Sequence, residues 1–293
     1  MRVHHLNCGS MCPLGRRLLT GEGGWTAPAH LCCHCLLIEG RQGLILVDTG
    51  LGTGDVAHPR SLGSLFHGIS RPRLQMSETA LHQIRELGFD PRDVRHIVPT
   101  HLDLDHAGGI ADFPLADIHV YATELQAALN RASLMESMRY VPRQWAHGPR
   151  WVSHDVQGDK WFGMDAVQAL PDTDDEVLLV PLVGHTRGHC GVAVRTDNGW
   201  LLHCGDAYFY RGEIDLAPTC PIGLRFFQWL LAMDNDKRLA NQARLRKLKD
   251  RFGHEVTLTC AHDPVELSLL ASAASYRAQH PGEDLNAMLQ TAA

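Results

Sequence analysis

At 293 residues, with 44% hydrophobic and 20% charged residues, the chain is long enough for one large domain or two ordinary ones and too apolar for extended disorder. Its 27 basic and 33 acidic residues leave a net charge of −6 without a Lys/Arg block, which argues against a nucleic-acid partner. Met1-Arg2-Val3-His4-His5-Leu6-Asn7 lacks the apolar core of a signal peptide, and no apolar run approaches the ~18 residues of a membrane span. A cytoplasmic protein with no membrane partner is expected.

In chain order, residues 2–7 predict a short first strand, and 8–13 a loop. Strands over Leu31–Glu39 and Gly43–Asp48 are joined by Gly40-Arg41-Gln42 as a hairpin turn. Cys32, Cys33 and Cys35 fall in the first of these strands, where alternation spreads them over both faces. Buried free thiols in a reducing compartment are the expectation, in preference to a metal site built from Cys32, Cys33, His34 and Cys35. The second strand runs into Asp48-Thr49-Gly50-Leu51-Gly52-Thr53-Gly54, which lacks the lysine of a phosphate-cradling glycine loop. Asp48 is expected to accept backbone hydrogen bonds and shape the floor of a site. Residues 55–75 read as an irregular insertion. Ser77 then predicts a helix N-cap, with Leu81, Ile84 and Leu87 at helical spacing up to Gly88.

The β-branched run Arg95-His96-Ile97-Val98 reads as a buried strand leading into Pro99-Thr100-His101-Leu102-Asp103-Leu104-Asp105-His106-Ala107-Gly108-Gly109. Four potential metal ligands lie within six residues there. Alternate residues of an extended segment point the same way, so His101, Asp103 and Asp105 can share a side, with His106 where the chain turns. Such a cluster can hold two metals, one on His101 and Asp103 and the other on Asp105 and His106, roughly 3.5–4 Å apart.

Beyond it, Ile118–Tyr121 reads as a strand and Thr123–Asn130 as a helix. The Trp-, Met-, Arg- and His-rich segment 131–165 is expected to form a substrate-facing cap, with Met135, Met138, Trp145 and Trp151 suited to an acyl or aromatic group. Strands follow at 167–170, Glu176–Leu182, Val192–Arg195 and Trp200–Cys204, the last two joined by the turn Thr196-Asp197-Asn198-Gly199. Leu245, Leu248 and Phe252 mark the buried stripe of a helix whose Arg244, Arg246, Lys247, Lys249 and Arg251 face solvent, and Glu255–Cys260 is a final strand. Two β-rich halves with helices outside predict an α/β fold, a four-layer αββα sandwich, as a single domain over 1–293. Three more ligand groups follow strands in this second half: Gly184-His185-Thr186-Arg187-Gly188-His189, His203-Cys204-Gly205-Asp206 and Cys260-Ala261-His262. A carboxylate such as Asp206 can bridge two cations.

Together these motifs resemble the metallo-β-lactamase-fold hydrolase superfamily. Its HxHxDH motif, later His, bridging Asp and last His are matched by His101-x-Asp103-x-Asp105-His106, His185, Asp206 and His262, and Leu44–Gly50 (LILVDTG) is similar as well. The resemblance spans about residues 31–265. It implies two divalent metal ions held by His101, Asp103, Asp105, His106, His185, Asp206 and His262, with His189 supporting the loop rather than ligating. One departure stands out: Asp103 occupies a position that is usually His. A hard anionic oxygen there shifts preference toward iron or manganese, and flavodiiron proteins of the same superfamily are similar in carrying a carboxylate. Zinc remains the first assignment because the other ligands are mainly imidazole.

The resemblance also implies hydrolysis by metal-activated water, with Asp105 orienting it and passing a proton to the leaving group. His4-His5-Leu6-Asn7-Cys8-Gly9 and Gly205-Asp206-Ala207-Tyr208 look most like the quorum-quenching lactonase branch. That branch implies a lactone or similar small ester, N-acyl homoserine lactone-like, and a tyrosine that assists the oxyanion: Tyr208, with Tyr210 the other choice. A glyoxalase-like thioesterase or another ester or amide hydrolase is the rival enzyme, and a non-catalytic metal-dependent ligand sensor is the rival from another class. A homodimer stays open.

Overall fold

A strand that must be covered on both faces reads as a continuous apolar run rather than an alternating one, and Leu31–Ile38 is such a run. In the computed structural model, which describes residues 1–155, 158, 160–165, 170, 173 and 176–279, all eight of these residues are buried. They lie in β2 (Leu31–Gly40), second in a six-stranded sheet whose spatial order follows the sequence: β1 (Arg2–Met11), β2, β3 (Gly43–Val47), β4 (Val94–Val98), β5 (Asp117–Tyr121) and β6 (Arg150–His154). The first three are antiparallel, and β3 to β6 are mutually parallel. A small hairpin of β7 (Lys160–Trp161) and β8 (Met164–Asp165) follows. The second sheet contains β9 (Val177–Pro181), β10 (Cys190–Thr196), β11 (Gly199–His203) and β12 (Val256–Thr259), in the order β12–β11–β10–β9.

Three apolar layers show how the sheets stack. Leu36, Ile38, Ile45, Val47 and Val98 of the first sheet pack against Val177, Leu179, Val192 and Val194 of the second. The opposite face of the first sheet, with Leu37, Leu46 and Ile97, is covered by Ala80 and Ile84 of α4 (Ala80–Glu86) and by Ala127 and Ala128 of α5 (Ala122–Asn130). The outer face of the second sheet, with Ala193 and Leu202, is covered by Leu245 and Leu248 of α8 (Asn235–Phe252). Helix, sheet, sheet, helix: this is the αββα sandwich. The remaining helices are α1 (Arg16–Thr20), α2 (Thr53–Ala57), α3 (Ser64–Ser70), α6 (Leu134–Arg139), α7 (Ile222–Leu231) and α9 (Pro264–Gln279). Among the described residues, no helix is long and apolar enough to cross a membrane. All nine cysteines are free.

Several local expectations need correction. β1 continues through 8–11, where a loop was expected, because a register shift between Asn7 and Ser10 absorbs the irregularity without ending the pairing. The helix cap is Thr79, whose hydroxyl accepts from the His82 amide at 3.4 Å, while Ser77 lies in a preceding 3-10 turn. The insertion at 55–75 contains α3 and a 3-10 turn at Pro59–Leu62. The segment 131–165 is not simply a cap: β6 extends the first sheet in parallel to β5, and Trp145 belongs to the outer core of that sheet at 7% exposure, with Trp151 packed beside it. The parallel sheet takes one more strand there, and burying an indole beneath it is more favourable than displaying one to solvent. The strand expected at 167–170 lies outside the described residues except for Leu170, which joins the inter-sheet core.

Candidate metal centre

The loops that leave β4, β9, β11 and β12 carry the ligand-type side chains. After β4 the chain stays open only as far as Asp103, whose carbonyl then accepts from the amides of His106 (2.9 Å) and Ala107 (3.0 Å). Strand-like alternation therefore aims His101 and Asp103, whereas a turn aims Asp105 and His106. His185 lies beyond β9, Asp206 beyond β11 and His262 beyond β12. Gly205 makes the approach of Asp206 possible: its φ is +51°, and a Cβ there would meet His189 Nε2 and Thr100 Oγ1 at 2.7 Å.

These side chains sort into two clusters about Asp206. Its Oδ2 lies 3.3 Å from His185 Nε2 and 3.8 Å from His101 Nε2. Its Oδ1 lies 3.3 Å from His106 Nε2 and 3.1 Å from His262 Nε2. Asp103 Oδ2 completes the first cluster, 3.1 Å from His185 Nε2 and 3.4 Å from His101 Nε2. Asp105 Oδ2 approaches the second, 3.8 Å from His262 Nε2. His101 Nε2, His106 Nε2 and Asp206 Oδ1 are buried without a hydrogen-bond partner. Buried polar atoms left in this state and converging on common points are what a cation satisfies. Two imidazoles and two carboxylates on each side suit a divalent ion. The residues fit the two-metal expectation.

Hydrogen bonds behind the ligands hold their reactive nitrogens in place, the outer support that metal-binding histidines need. His262 Nδ1 donates to the Cys32 carbonyl at 2.7 Å, leaving Nε2 as a lone-pair donor. His106 Nδ1 lies 2.9 Å from Asp48 Oδ2. Thr100 Oγ1 donates to that same carboxylate at 3.0 Å and so accepts from His101 Nδ1, also at 3.0 Å. His189 has spent both nitrogens: Nδ1 on the Leu182 carbonyl (3.0 Å) and Nε2 on the Asp206 amide (2.9 Å). It supports the Asp206 loop, and His185 faces the cluster. His203 turns away, with Nε2 on the His34 carbonyl at 2.8 Å.

The electrostatics follow from the crowding. Burial by itself would raise Asp206, but His262, His106 and His185 outweigh it and hold the carboxyl well below its ordinary value. Burial would lower His106, yet Asp206 and Asp48 together raise it well above the imidazole norm. His185 is lowered to about 4, mainly by burial, and is a neutral imidazole at pH 7.

Two buried charges here carry no sequence motif. Glu124, in the first turn of α5, accepts from the Leu102 amide (3.0 Å), the Gly188 amide (2.9 Å) and the Tyr140 hydroxyl (3.0 Å). It ties the metal loop to the His185 loop. Arg139, at the end of α6, places Nε 3.5 Å from Asp103 Oδ1. The only signal for either was a charged residue on a helix that has to pack.

Tyr208 does not point at the clusters. It is fully buried, with its hydroxyl 3.2 Å from both Glu266 oxygens. The oxyanion role expected of it is corrected: the residue that faces the centre is Phe209, whose ring centroid lies 4.8 Å from that of His262 and 6.0 Å from that of His185. A one-residue difference in phase after β11 sends the hydroxyl into the core. The Tyr210 ring lies under the Arg211 guanidinium. Strand alternation also divides the Cys32–Cys35 group. Only Cys33 reaches the centre, its sulfur within 4.8 Å of the ligand atoms of Asp105 and His262, while His34 bonds to His5 at 2.9 Å and Thr259 at 3.2 Å.

Comparison with known proteins agrees with this architecture. The Metallo-beta-lactamase superfamily model matches residues 32–258. A probable metallo-hydrolase of Mycobacterium tuberculosis is 44% identical over 264 residues, covering 90% of this chain and 81% of that protein. An N-acyl homoserine lactonase of Bacillus thuringiensis subsp. kurstaki is 27% identical over 233 residues, covering 78% of this chain and 82% of that protein. A solved N-acyl homoserine lactone hydrolase, with N-hexanoyl-L-homoserine bound at its catalytic metal centre, superposes with a TM-score of 0.69 at 21% identity. It covers 92% of this chain and 95% of that one.

Proposed function

The chain belongs to the metallo-beta-lactamase superfamily, and from that premise we propose a dinuclear metal-dependent hydrolase that opens a lactone or a related small ester. The observation that carries the reading is Asp206, which offers one oxygen to His101 and His185 and the other to His106 and His262. Similarity to lactonases of Bacillus supports the substrate class.

Divalent ions, zinc first, supply an acidified water and a Lewis-acid contact for the substrate oxygen. His101, His185 and Asp103 would hold one ion, His106, His262 and Asp105 the other, with Asp206 shared. The protein's own part is positional. Asp48 and Thr100 keep protons on the Nδ1 atoms of His106 and His101, so that both Nε2 atoms remain basic. Asp105 has a side chain 14% exposed, the most open of the carboxylates in the centre. That suits it to carry a proton between the water and the leaving oxygen. Phe209 presents an apolar ring beside His262 and His185, so this position offers no hydroxyl to a developing oxyanion.

Ring opening of lactones with short to long acyl chains, followed by proton release on metal-replete protein, tests this. Turnover lost together with bound metal in His106→Ala and Asp206→Ala is the expected result. Retention of both in these variants would sink the site. Metal without lactone turnover would move the substrate to another ester, thioester or amide, and tight binding of an unchanged lactone would indicate a sensor.

A further inference from the structure

Arg139 is the buried charge that the proposed chemistry leaves unused. Its side chain is 6% exposed, and its guanidinium is oriented by protein groups: Nη1 donates to the His185 carbonyl at 2.9 Å and Nη2 to the Leu231 carbonyl at 2.7 Å, while Nε lies 3.5 Å from Asp103 Oδ1. A guanidinium stays protonated at any working pH. A fixed cation beside a cluster built for a dication is repulsive unless an anion stands between them, and inside a protein that repulsion is little screened. Asp103 stands between them. Its Oδ2 faces His101 and His185, its Oδ1 faces Arg139, and neither Oδ1 nor Arg139 Nε makes a hydrogen bond.

We propose that Arg139 and Asp103 form one electrically neutral unit, in which Arg139 is a positioning residue that lets a carboxylate serve as a ligand of the first metal without adding net negative charge. The first cluster then carries the charge of three neutral ligands plus the shared Asp206. Asp103 thus supplies an oxygen donor there without the extra negative charge that an unpaired carboxylate would bring. The inference rests on the two-metal reading above and adds to it the reason for the carboxylate.

The two residues must then be exchangeable only as a pair. Replacing Asp103 by a neutral ligand (Asp103→His) exposes the first metal to an uncompensated guanidinium. Its affinity should fall about 10–100-fold, the range seen when support around a metal ligand is removed. Adding Arg139→Met to that variant should bring affinity back to within a few-fold of the parent, and Arg139→Gln, which keeps donors for the two carbonyls, should do the same. Metal per chain and affinity are read by competition with a chromophoric chelator, using full-length protein. If Arg139 only tethers the His185 and Leu231 carbonyls, its loss damages every background and rescues none, which overturns the proposal. A double variant that cannot be obtained folded overturns it as well, because a neutral pair should be tolerated. A parent chain that holds no metal would instead defeat the two-metal reading itself.

Discussion

Asp48→Asn changes the support behind His106 without changing the size of the supporting side chain. The Asp48 carboxylate is 1% exposed and serves three donors. Oδ1 accepts from the Thr100 amide at 2.7 Å, and Oδ2 accepts from Thr100 Oγ1 at 3.0 Å and His106 Nδ1 at 2.9 Å. An amide nitrogen in place of Oδ1 would face an N–H that cannot reverse. In place of Oδ2 it faces His106 Nδ1, and the imidazole can escape by moving its proton to Nε2, the atom aimed at Asp206. The ligand lone pair is then lost. Affinity for the second metal should fall about 10–100-fold, or about 1.4–2.7 kcal/mol at 1.36 kcal/mol per decade, and the Thr100 hydroxyl, which loses its acceptor at Oδ2, passes part of the change to His101 of the first site. The metal-free protein should suffer too, since breaking a buried pair costs on the order of 3–5 kcal/mol. Competitive zinc titration, together with elemental analysis, reads both sites. Two zinc ions held by Asp48→Asn with parental affinity would refute the tautomer argument.

Other perturbations probe the remaining supports. Burial raises Glu266 from 4.5 to about 7, so its stabilising contribution is complete below pH 4.5 and lost as pH rises through about 7. That is on the order of 3 kcal/mol, and Glu266→Gln should therefore gain stability over the parent between about pH 5 and pH 8 in denaturant melts; parallel pH profiles would contradict this. Tyr208→Phe should leave turnover within a few-fold of the parent, because the hydroxyl bonds to Glu266, whereas a loss of several hundred-fold in kcat would return it to the oxyanion. Glu124→Gln should lower stability by about 1–3 kcal/mol, the cost of one unsatisfied buried amide, at either Leu102 or Gly188, read as a drop in Tm. Chelation should lower Tm reversibly, since an ion at a hundredfold excess over its Kd stabilises by about 2.7 kcal/mol; a Tm that ignores both chelator and restored zinc would leave the centre without a metal.

The sequence by itself determined what is local. Continuous apolar runs such as Leu31–Ile38 and Gly43–Val47 mark strands covered on both faces, because the two-residue period leaves no solvent side to encode. Ligand-type residues just after such runs can be read one at a time, and their number and order gave the metal reading. Only the tertiary structure decided what depends on distance or phase. It divides His101 and Asp103 from Asp105 and His106 between the two oxygens of a residue about a hundred positions away. It sends Tyr208 inward and Phe209 toward the centre because one residue of phase after β11 reverses a side chain. It also turns Trp145 from an expected cap into core and brings Arg139 from the same segment to Asp103. No local pattern could foresee Arg139 or Glu124: a charge on a short helix looks solvated until another part of the chain buries it and supplies the opposite partner.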